Sequence, residues 1–576
     1  MFKLLRKYTQ DGWWAAILGP IFTILEVIFD ALIPLVMSDI IDVGVVNKDI
    51  GYIISKGEYM VILAFLAAIT GALSGLFSSI SSTRFVRNIR NAMFEKIQTY
   101  SFENIEKYPV PTVVTRLTTD MRMMRMAYVQ IVRMLVRAPF NLIISAYYMF
   151  EISNTMAAIF AIALPILGVG LILIVMIAHP RFMKMMLKFD ELDANLEENI
   201  DGIRVVKTFV REDYETNKFR KTSDAVVKAQ RFAESIVILD RPFFELVMYV
   251  CMILVAWIGG KSIIAGSMTT GNFMAYLSYV KAVLFSLVMI SNVIMQIVMA
   301  QASVDRANEI LDEEPTIKDD DADEKLTVDD GSIEFNNVSF KYSKEAEKDV
   351  LSSINLKIEP GEVIGILGPT GASKTTLVQL IPRLYDATSG EIKVGGHNVK
   401  DYKLEKLRDG VAMVLQKNTL FSGTIEENMR WGNPDASHEE IVEACKNAQA
   451  DDFISAMPKQ YETELGQGGV NVSGGQKQRL CIARALLKKP KIIILDDSTS
   501  AVDTDTDHRI QLALKEKLGG MTTIIIAQRV ASVKEANRII IMEDGKIIDI
   551  GNHNELMERN EVYRDLYQTQ MEGVSE

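Results

Sequence analysis

Cysteine and histidine are scarce in this chain of 576 residues, which contains three cysteines and five histidines. Cys251, Cys445 and Cys481 stand far apart and show no metal-binding or redox spacing, so we expect reduced thiols with structural roles. An excess of positive charge is also missing, because the net charge is −12. A general nucleic-acid binder would carry a basic stripe, so we expect no nucleic-acid partner.

A cleavable leader is not indicated at the amino terminus. The stretch Met1–Lys7 is basic and amphipathic, but no small-residue cleavage site follows the first apolar run. We interpret this stretch as a retained helix that lies at the membrane surface.

Long apolar runs are abundant in the first half. Hydrophobic residues make up 49% of the chain and charged residues 24%, a mixture typical of a membrane part joined to a polar part. Six runs have roughly the 20 residues needed to cross ~30 Å of hydrocarbon. They are Trp13–Met37, Met60–Ser82, Leu135–Phe150, Met156–Ile177, Phe243–Ile264 and Phe273–Met299. The third run is short, and Arg133 and Arg137 stand at its start.

Two long charged segments predict the orientation of these runs. They separate the second run from the third and the fourth from the fifth, and both are rich in lysine and arginine. The loops on the other side, 151–155 and 259–271, carry almost no positive charge. The positive-inside rule therefore places both charged segments, both termini and the second half of the chain in the cytoplasm of a multi-pass plasma-membrane protein.

The chain divides into a transmembrane domain over residues 1–310, an acidic linker over 311–330 and a second domain over 331–576. The linker contains Asp319–Glu324, whose repelling charges predict a solvated, flexible segment. Beyond it, short β-branched strands alternate with turns and helices, as in Val363–Leu367, Lys491–Leu495, Thr522–Ile526 and Arg538–Met542. This alternation predicts an α/β domain with a largely parallel core after an all-α, six-helix membrane domain that has long cytoplasmic extensions.

A phosphate-binding loop is indicated at Gly368–Thr375, between the strand Val363–Leu367 and a helix that begins at Lys374. Backbone N–H groups of such a loop wrap phosphates, the lysine reaches the terminal phosphates and the Thr375 hydroxyl binds Mg²⁺. Ser373 replaces the glycine usual before the lysine. If that position needs a positive φ, serine should cost something like 1 kcal/mol of strain, and we expect binding to survive.

Two residues that an efficient ATPase needs are missing downstream. Asp496 ends an apolar strand and suits a supporting ligand of Mg²⁺, but Asp497 stands where a glutamate would orient or deprotonate water. Its carboxylate is one methylene shorter, and a displacement of this size can cost ~100-fold in rate. Gln528 stands where a histidine is expected and cannot carry positive charge. We predict a site that holds ATP and cleaves it slowly; the alternative is that both residues are tolerated in an active site.

A Ser-Gly-Gly-Gln turn, Ser473–Gln476, precedes a helix and forms a further candidate anion cradle. By itself this pattern also fits an ordinary capped helix.

Together these motifs resemble, over essentially the whole chain, an ATP-binding-cassette exporter of the fused six-helix half-transporter type. The resemblance implies a dimer in which two motifs enclose ATP. They are the phosphate loop of one half, here Gly368–Thr375, and the signature turn of the other half, here Ser473–Gln476. The residues that match the nucleotide-contacting positions are Tyr342, Gly368, Thr370, Gly371, Ala372, Ser373, Lys374, Thr375, Thr376, Gln416, Ser473, Gly474, Gly475 and Gln476. The matching metal positions are Thr375, Gln416 and Asp496, the catalytic ones are Asp497 and Gln528, and Ser500–Asp503 match the cross-interface loop.

Asp497 and Gln528 depart from the family's catalytic residues, whereas the signature turn is retained. This combination is similar to that of the degenerate-site subunit in a heterodimeric bacterial multidrug-type exporter. It implies ATP and Mg²⁺ as cofactors and a second half-transporter that supplies the competent site. Short transverse helices near Glu103–Pro109 and Asn199–Thr208 are expected to dock on nucleotide domains. The alternative is an ATP-gated regulatory or channel-like membrane protein that exports nothing.

Charged residues inside the apolar runs are candidates for binding an amphipathic drug, lipid or peptide. Glu26 and Asp30, one helical turn apart, could attract a cationic amphiphile. Glu245 and Lys281 could do the same or pair with each other. Structural hydrogen bonds between helices are the alternative interpretation.

Overall fold

The structure is a computed structural model that describes residues 2–343, 346–497, 504–517 and 520–572. The chain forms two compact units. The first comprises residues 1–98 and 109–313, and the second comprises residues 99–108 and 314–576.

Helices form the first unit because a backbone in hydrocarbon must satisfy its own hydrogen bonds. Up to residue 313 the helices are α1 (Phe2–Tyr8), α2 (Trp13–Asp39), α3 (Ile50–Gln98), α4 (Phe102–Lys107), α5 (Val110–Thr115), α6 (Met121–Val129), α7 (Leu135–Ile152), α8 (Asn154–Asp201), α9 (Ile203–Thr208), α10 (Glu212–Val237), α11 (Asp240–Ile264) and α12 (Thr270–Asp312). Of these, α4 belongs to the second unit. Three π-helical segments, Ile40–Val45, Arg116–Asp120 and Gln130–Met134, extend or join the helices.

Within the described residues, six helical stretches are long and apolar enough to cross a membrane, which confirms the six predicted spans. The third is continuous from Val110 to Ile152 and includes two of the π-helical segments. Its cytoplasmic part is charged, which explains why the apolar run alone looked short. The charged extensions are helical as expected, since α3 continues to Gln98 and α8 to Asp201.

The loops between these helices are shorter than predicted. Instead of 151–155, Ser153 alone separates α7 from α8, and its hydroxyl accepts from the Met156 amide at 3.5 Å. Instead of 259–271, residues 265–269 separate α11 from α12, and the Thr269 hydroxyl accepts from the Asn272 amide. Such N-caps satisfy amide groups that a helix start leaves unpaired, so the helices extend closer to the turn.

Two sheets organise the second unit, and a small pair of strands accompanies them. The antiparallel sheet has the order β2-β1-β4-β5, and the larger sheet has the order β12-β11-β3-β10-β9-β6. The strands are β1 (Ile333–Phe340), β2 (Leu351–Ile358), β3 (Val363–Leu367), β4 (Ser389–Val394), β5 (His397–Asn398), β6 (Val411–Val414), β7 (Gly423–Thr424), β8 (Glu464–Leu465), β9 (Ile492–Asp496), β10 (Thr522–Ile526), β11 (Arg538–Glu543) and β12 (Lys546–Gly551).

The central strands of the larger sheet are parallel, which confirms the predicted core. Strands β9 and β10 are buried at every residue, as expected for strands covered on both faces. In the register of the sheet Ile526 lies beside both Ile366 and Asp496. Because parallel strands end at the same edge, this register gathers the residues that follow β3, β9 and β10.

Helices cover the sheets of the second unit. They are α13 (Lys374–Gln379), α14 (Leu404–Gly410), α15 (Ile425–Met429), α16 (His438–Asn447), α17 (Asp451–Ser455), α18 (Gly474–Leu487), α19 (Thr504–Lys517), α20 (His553–Arg559) and α21 (Glu561–Glu572).

Both predicted transverse helices exist, as α4 and α9. Helix α4 packs within the second unit: the Tyr385 hydroxyl donates to Glu106 at 2.6 Å, and the Tyr385 and Phe102 rings meet edge to face. The side-chain amide of Asn104 donates to the Glu314 carbonyl at 3.0 Å. The first transverse helix is therefore docked on the α/β domain, as expected.

The acidic linker is less free than its composition predicted. The Asp319 carboxylate accepts from the Leu404 amide at 2.8 Å, and the Asp319 carbonyl accepts from Lys403. Ile317 and Val328 are buried. The expectation of a solvated, flexible linker is therefore wrong for these residues, because the carboxylate caps the start of α14 and the apolar side chains enter the domain.

Candidate functional site

The loop after β3 contains residues whose backbone φ angles are positive. Gly368 has φ +154°, and a Cβ there would lie 2.1 Å from the Met542 carbonyl oxygen, so no side chain fits. Ser373 has φ +67° and ψ +26°, which is the left-handed region. The condition for strain at this position is therefore met, and serine adopts the conformation at a cost of roughly 1–2 kcal/mol.

The expected nucleotide residues converge on one cavity of about 540 Å³. The predicted residues that line it are Gly368, Thr370, Gly371, Ala372, Ser373, Lys374, Thr375, Thr376, Gln416, Asp496, Asp497 and Gln528. Residues from four segments that are distant in sequence thus surround one space, because their strands end at the same edge of the sheet.

Lys374 and Thr375 begin α13 and face the acidic residues after β9. The Lys374 ammonium donates to the Gly368 carbonyl at 2.8 Å, and burial lowers the pKa of this lysine. The Thr375 hydroxyl donates to Oδ1 of Asp496 at 2.9 Å. The site thus presents a cation and backbone amides to phosphate beside carboxylates that suit a metal ion.

Asp497 is held by two amides. Its Oδ2 accepts from Nε2 of Gln528 at 2.7 Å and from Nε2 of Gln416 at 3.4 Å. Its backbone has φ +48°, and its N–H donates to the Ile526 carbonyl at 3.1 Å. Burial raises the pKa of Asp497, and the two amide hydrogen bonds oppose that shift. The structure therefore brings the two unusual residues, Asp497 and Gln528, into direct contact.

Tyr342 and the signature turn lie outside the lining of this cavity. The Tyr342 hydroxyl is 2.9 Å from the Thr376 hydroxyl, which keeps the ring near the loop. Ser473 caps α18, accepting from the Gln476 amide at 3.3 Å while the Gln476 side chain accepts from the Ser473 amide at 2.8 Å. Ser473 and Gly474 are exposed. Ser500–Asp503 lie outside the described residues.

Two residues of α21 were missed by the sequence analysis. Gln570 accepts from the Val530 amide at 2.8 Å and donates to the Gln528 carbonyl at 2.9 Å. Leu566 lines the nucleotide cavity. They stand about 40 residues beyond the last motif, with no sequence signal that links them to it. Helix α21 thus fixes the backbone that carries Gln528.

In the first unit, Arg137 joins the charged residues Glu26 and Asp30. Its guanidinium lies 2.6 Å from the Glu26 carboxylate and 3.2 Å from the Asp30 carboxylate. Glu26 packs closely on α3, since a Cβ on Gly71 would lie 2.8 Å from its Oε1. These contacts agree with the alternative interpretation of the acidic pair as structural.

Glu245 and Lys281 do not pair with each other among the described residues. The Glu245 carboxylate instead contacts Arg241 on the same helix at 3.0 Å. Lys281 is exposed on α12.

Two family models match the chain: one described as ABC transporter transmembrane region covers residues 16–288, and one described as ABC transporter covers residues 351–500. A Bacillus subtilis relative, "Uncharacterized ABC transporter ATP-binding protein YfiB", is 34% identical over 96% of this chain and 95% of its own length. This chain is an ABC half-transporter. It is an ATPase-coupled, multi-pass membrane transporter with a cytoplasmic nucleotide-binding domain.

Two further relatives of this half-transporter carry functional names. An "ATP-dependent lipid A-core flippase" of Desulfotalea psychrophila is 32% identical over 93% of both chains. A "Putative multidrug export ATP-binding/permease protein YgaD" of Bacillus subtilis is 32% identical over 86% of this chain and 85% of its own length. The half-transporter is thus similar to bacterial exporters of lipids and drugs.

Proposed function

We propose that this half-transporter is the degenerate-site subunit of a heterodimeric exporter. It binds ATP at its own phosphate loop, cleaves that ATP slowly, and lends its signature turn to the ATP held by a catalytically competent partner. The observation that carries the proposal is the hydrogen bond of 2.7 Å between Gln528 and Asp497.

This contact supports slow cleavage for two reasons. A general base must reach the proton that it removes. The Asp497 side chain is one methylene shorter than that of glutamate, and its carboxylate already accepts hydrogen bonds from Gln528 and Gln416. These hydrogen bonds occupy the oxygen that would have to accept the proton, and they oppose the rise in the pKa of Asp497 that burial causes. Gln528 also lacks the titratable ring that could share positive charge with a phosphoryl transition state.

The residues around Asp496 fit a magnesium ion. Oδ2 of Asp496 is buried and has no hydrogen-bond partner among the described residues, while Oδ1 accepts from Thr375. Carboxylate, hydroxyl and amide oxygens are hard ligands of the kind that Mg²⁺ prefers, so Thr375, Gln416 and Asp496 would hold it. When bound, the ion would neutralise charge on the phosphates of ATP. Burial raises the pKa of Asp496, and a cation beside it favours its ionised form.

The signature turn supports a role in completing the site of another subunit. Ser473–Gln476 retain the residue types of the motif and are arranged as a capped helix start that presents amide groups. The turn does not line the nucleotide cavity of its own chain within the described residues. This chain combines an ATP site that lacks the usual catalytic residues with an intact signature turn. That combination is expected when hydrolysis takes place at the ATP site of the partner.

The proposed cargo is an amphipathic drug, lipid or peptide that moves out of the cytoplasm. The names of two relatives, a lipid A-core flippase and a putative multidrug export protein, favour export over a purely regulatory or channel-like role.

The test uses the purified full chain alone and with a half-transporter that carries glutamate and histidine at the corresponding positions. The chain alone should bind ATP and turn it over about 100-fold more slowly than the pair, as a catalytic group displaced by about 1 Å predicts. Lys374→Ala should abolish the residual activity of the chain alone, which separates that activity from contaminants.

Asymmetric variants of the pair provide the sharper test. In this chain, Ser473→Arg should abolish turnover because it blocks the partner's site, whereas Asp497→Asn should leave most of the turnover. The reverse pattern, or brisk hydrolysis by the chain alone, would show that this subunit carries a competent site.

A further inference from the structure

A polar cavity lies between three helices of the first unit, apart from the nucleotide site. We call it the arginine cavity and define it by Ser78, Ser79 and Ser82 on α3, Arg125 on α6, Arg133 in the following π-helical segment, and Gln296 on α12. Its volume is about 290 Å³, just below the ~300–1,000 Å³ range typical of small-ligand pockets.

The arginine cavity carries positive charge without a matching acid. Its lining contains two arginines and no aspartate or glutamate. Among the described residues, neither Arg125 nor Arg133 has a carboxylate within salt-bridge distance. The buried Nε of Arg133 has no hydrogen-bond partner, and its Nη2 reaches only the Gly71 carbonyl at 3.5 Å.

Three other arginines of the same unit are matched to carboxylates. Arg137 contacts Glu26 and Asp30, Arg116 contacts Glu309 at 2.8 Å, and Arg306 forms two hydrogen bonds with Asp120. Arg133 is half-buried, and burying a charged group without a partner is costly. The missing counter-charge of the arginine cavity is therefore a reason to expect an anionic ligand.

Further donors point to an oxyanion. The Ser78 side chain is 1% exposed, and its hydroxyl has no hydrogen-bond partner among the described residues. Guanidinium and hydroxyl groups both donate to phosphate and carboxylate oxygens, and charge-assisted bonds of this kind are the stronger ones. The buried Oε1 of Gln296 also lacks a partner and would accept from a hydroxyl on the ligand headgroup.

The position of the cavity suits a lipid-like molecule. Its serines come from the cytoplasmic end of the second apolar run, within six residues of Arg84. Arg125 and Arg133 precede the apolar part of the third span. Both features place the cavity at the headgroup level of the cytoplasmic leaflet. Met126 and Val129 add apolar surface to the same lining.

The helix that carries the arginines is irregular at this point. Arg133 lies in the π-helical segment Gln130–Met134, and such single-turn π segments occur frequently at functional sites. Arg125, Val129 and Arg133 follow one another at intervals of four residues, and all three line the cavity.

We propose that the arginine cavity binds the oxyanionic headgroup of an amphiphile, so that the cargo taken from the cytoplasmic leaflet is anionic. This inference rests on the proposed export function and gives it a substrate class. It replaces the cationic amphiphile suggested by Glu26 and Asp30, whose charges Arg137 engages.

The test is equilibrium binding to the purified full chain in neutral dodecyl maltoside micelles, without ATP or a partner subunit. The probes are fluorescent dioctanoyl phosphatidylglycerol, its zwitterionic phosphatidylcholine analogue, and inorganic phosphate as competitor. The anionic lipid should bind at least about 10-fold more tightly than the zwitterionic one, as one charge-assisted interaction predicts. Arg133→Gln and Arg125→Gln should each weaken that binding by about 10-fold or more.

Two control variants separate loss of the binding site from a general loss of charge or folding. Arg122→Gln removes the same charge from the same helix outside the cavity lining and should leave binding unchanged. Ser78→Ala removes one hydroxyl with little change of shape, so it covers the case in which an arginine variant fails to fold, and it should weaken binding severalfold. Equal binding of the two lipids, or equal loss with Arg122→Gln and Arg133→Gln, overturns the proposal.

The phosphate arm identifies the source of the oxyanion. Displacement of the lipid only by a large excess of phosphate indicates a lipid headgroup, as proposed. Displacement at similar concentrations indicates a site for a free oxyanion and overturns the proposal of an anionic amphiphile as cargo. Because the assay involves no transport, a failure of the export proposal would leave this binding intact, and the reverse also holds.

Discussion

Nε2 of Gln528 lies 2.7 Å from Oδ2 of Asp497, so the two residues that depart from an efficient ATPase are hydrogen-bonded to each other. They are separated by 31 positions in sequence and are brought together by neighbouring parallel strands, β10 and β9. This contact means that the two departures form one local arrangement and should be tested as a pair.

Restoring both residues should raise hydrolysis at this site. We expect Asp497→Glu combined with Gln528→His to increase ATP turnover by about 100-fold, because the carboxylate regains its reach. The single changes should each give less, and their effects should not add, since the side chains are in contact. Steady-state phosphate release from the purified full chain measures the effect.

Lys374→Ala in the double variant is the control and should remove the gained activity, because the lysine reaches the phosphates. If ATP still binds but turnover does not rise, the limit lies elsewhere in the site.

Removing Arg137 should destabilise the membrane unit. Arg137→Gln leaves the Glu26 carboxylate, whose side chain is 11% exposed, without its partner. Breaking a buried pair in this way typically costs about 3–5 kcal/mol, whereas the more exposed contact with Asp30 should add little. Thermal unfolding of the purified chain in detergent measures the loss.

Glu26→Gln in the Arg137→Gln background should recover most of that stability, because it removes the unpaired charge. Arg241→Gln breaks the exposed pair with Glu245 and should cost under ~1 kcal/mol. Equal effects of Arg137→Gln and Arg241→Gln would contradict a buried, structural role for Arg137.

The hydroxyl of Tyr385 should hold the first transverse helix in place. Tyr385→Phe removes the donor to Glu106 but keeps the ring that contacts Phe102. A hydrogen bond to a charged group contributes about 1.5–3 kcal/mol, so opening of α4 should become at least about 10-fold more frequent. Hydrogen exchange of residues 99–108 in the full chain reports this opening.

Tyr402→Phe is the matched control, since its hydroxyl donates at 2.7 Å to the Val394 carbonyl elsewhere in the same unit. It should leave the exchange of residues 99–108 unchanged relative to the rest of the domain. Similar exchange in both variants would mean that the Glu106 contact does not fasten α4.

Glycine at position 373 should stabilise the phosphate loop slightly. The left-handed conformation costs serine roughly 1–2 kcal/mol, and the greater freedom of glycine in the unfolded chain offsets about 0.4–1 kcal/mol of that gain. We therefore expect Ser373→Gly to add about 0.5–1 kcal/mol to the free energy of unfolding. Denaturant unfolding of the full chain measures it, and ATP affinity should be retained.

Gly371→Ser provides the reverse change, because Gly371 has φ +90° and no atom lies within 4 Å of the Cβ that serine would add. It should lower stability through backbone strain alone. A destabilising Ser373→Gly would show that the serine side chain makes a contribution larger than the strain.

Much of the fold is predictable from local sequence pattern. The strands Val363–Leu367 and Thr522–Ile526 have the predicted bounds, since continuous β-branched runs suit strands buried on both faces. The other two predicted strands, Lys491–Leu495 and Arg538–Met542, each end one residue later in the structure, as β9 and β11. The six spans are confirmed because length and hydropathy reflect the thickness of the hydrocarbon. Helix ends were less predictable: Ser153 and Thr269 cap the helices and shorten both loops.

The nucleotide site was predictable as a set of residue types but not as a set of contacts. The sequence by itself determined that a phosphate loop, two acidic residues and a glutamine follow six apolar runs, and the resemblance to a family implied a transporter half. Only the tertiary structure decided that Gln528 bonds to Asp497, that Gln570 holds the Gln528 backbone, and that Arg137 engages Glu26 and Asp30. The physical reason is that propensity and hydropathy act between near neighbours in sequence, whereas these partners meet only after separate strands and helices have packed.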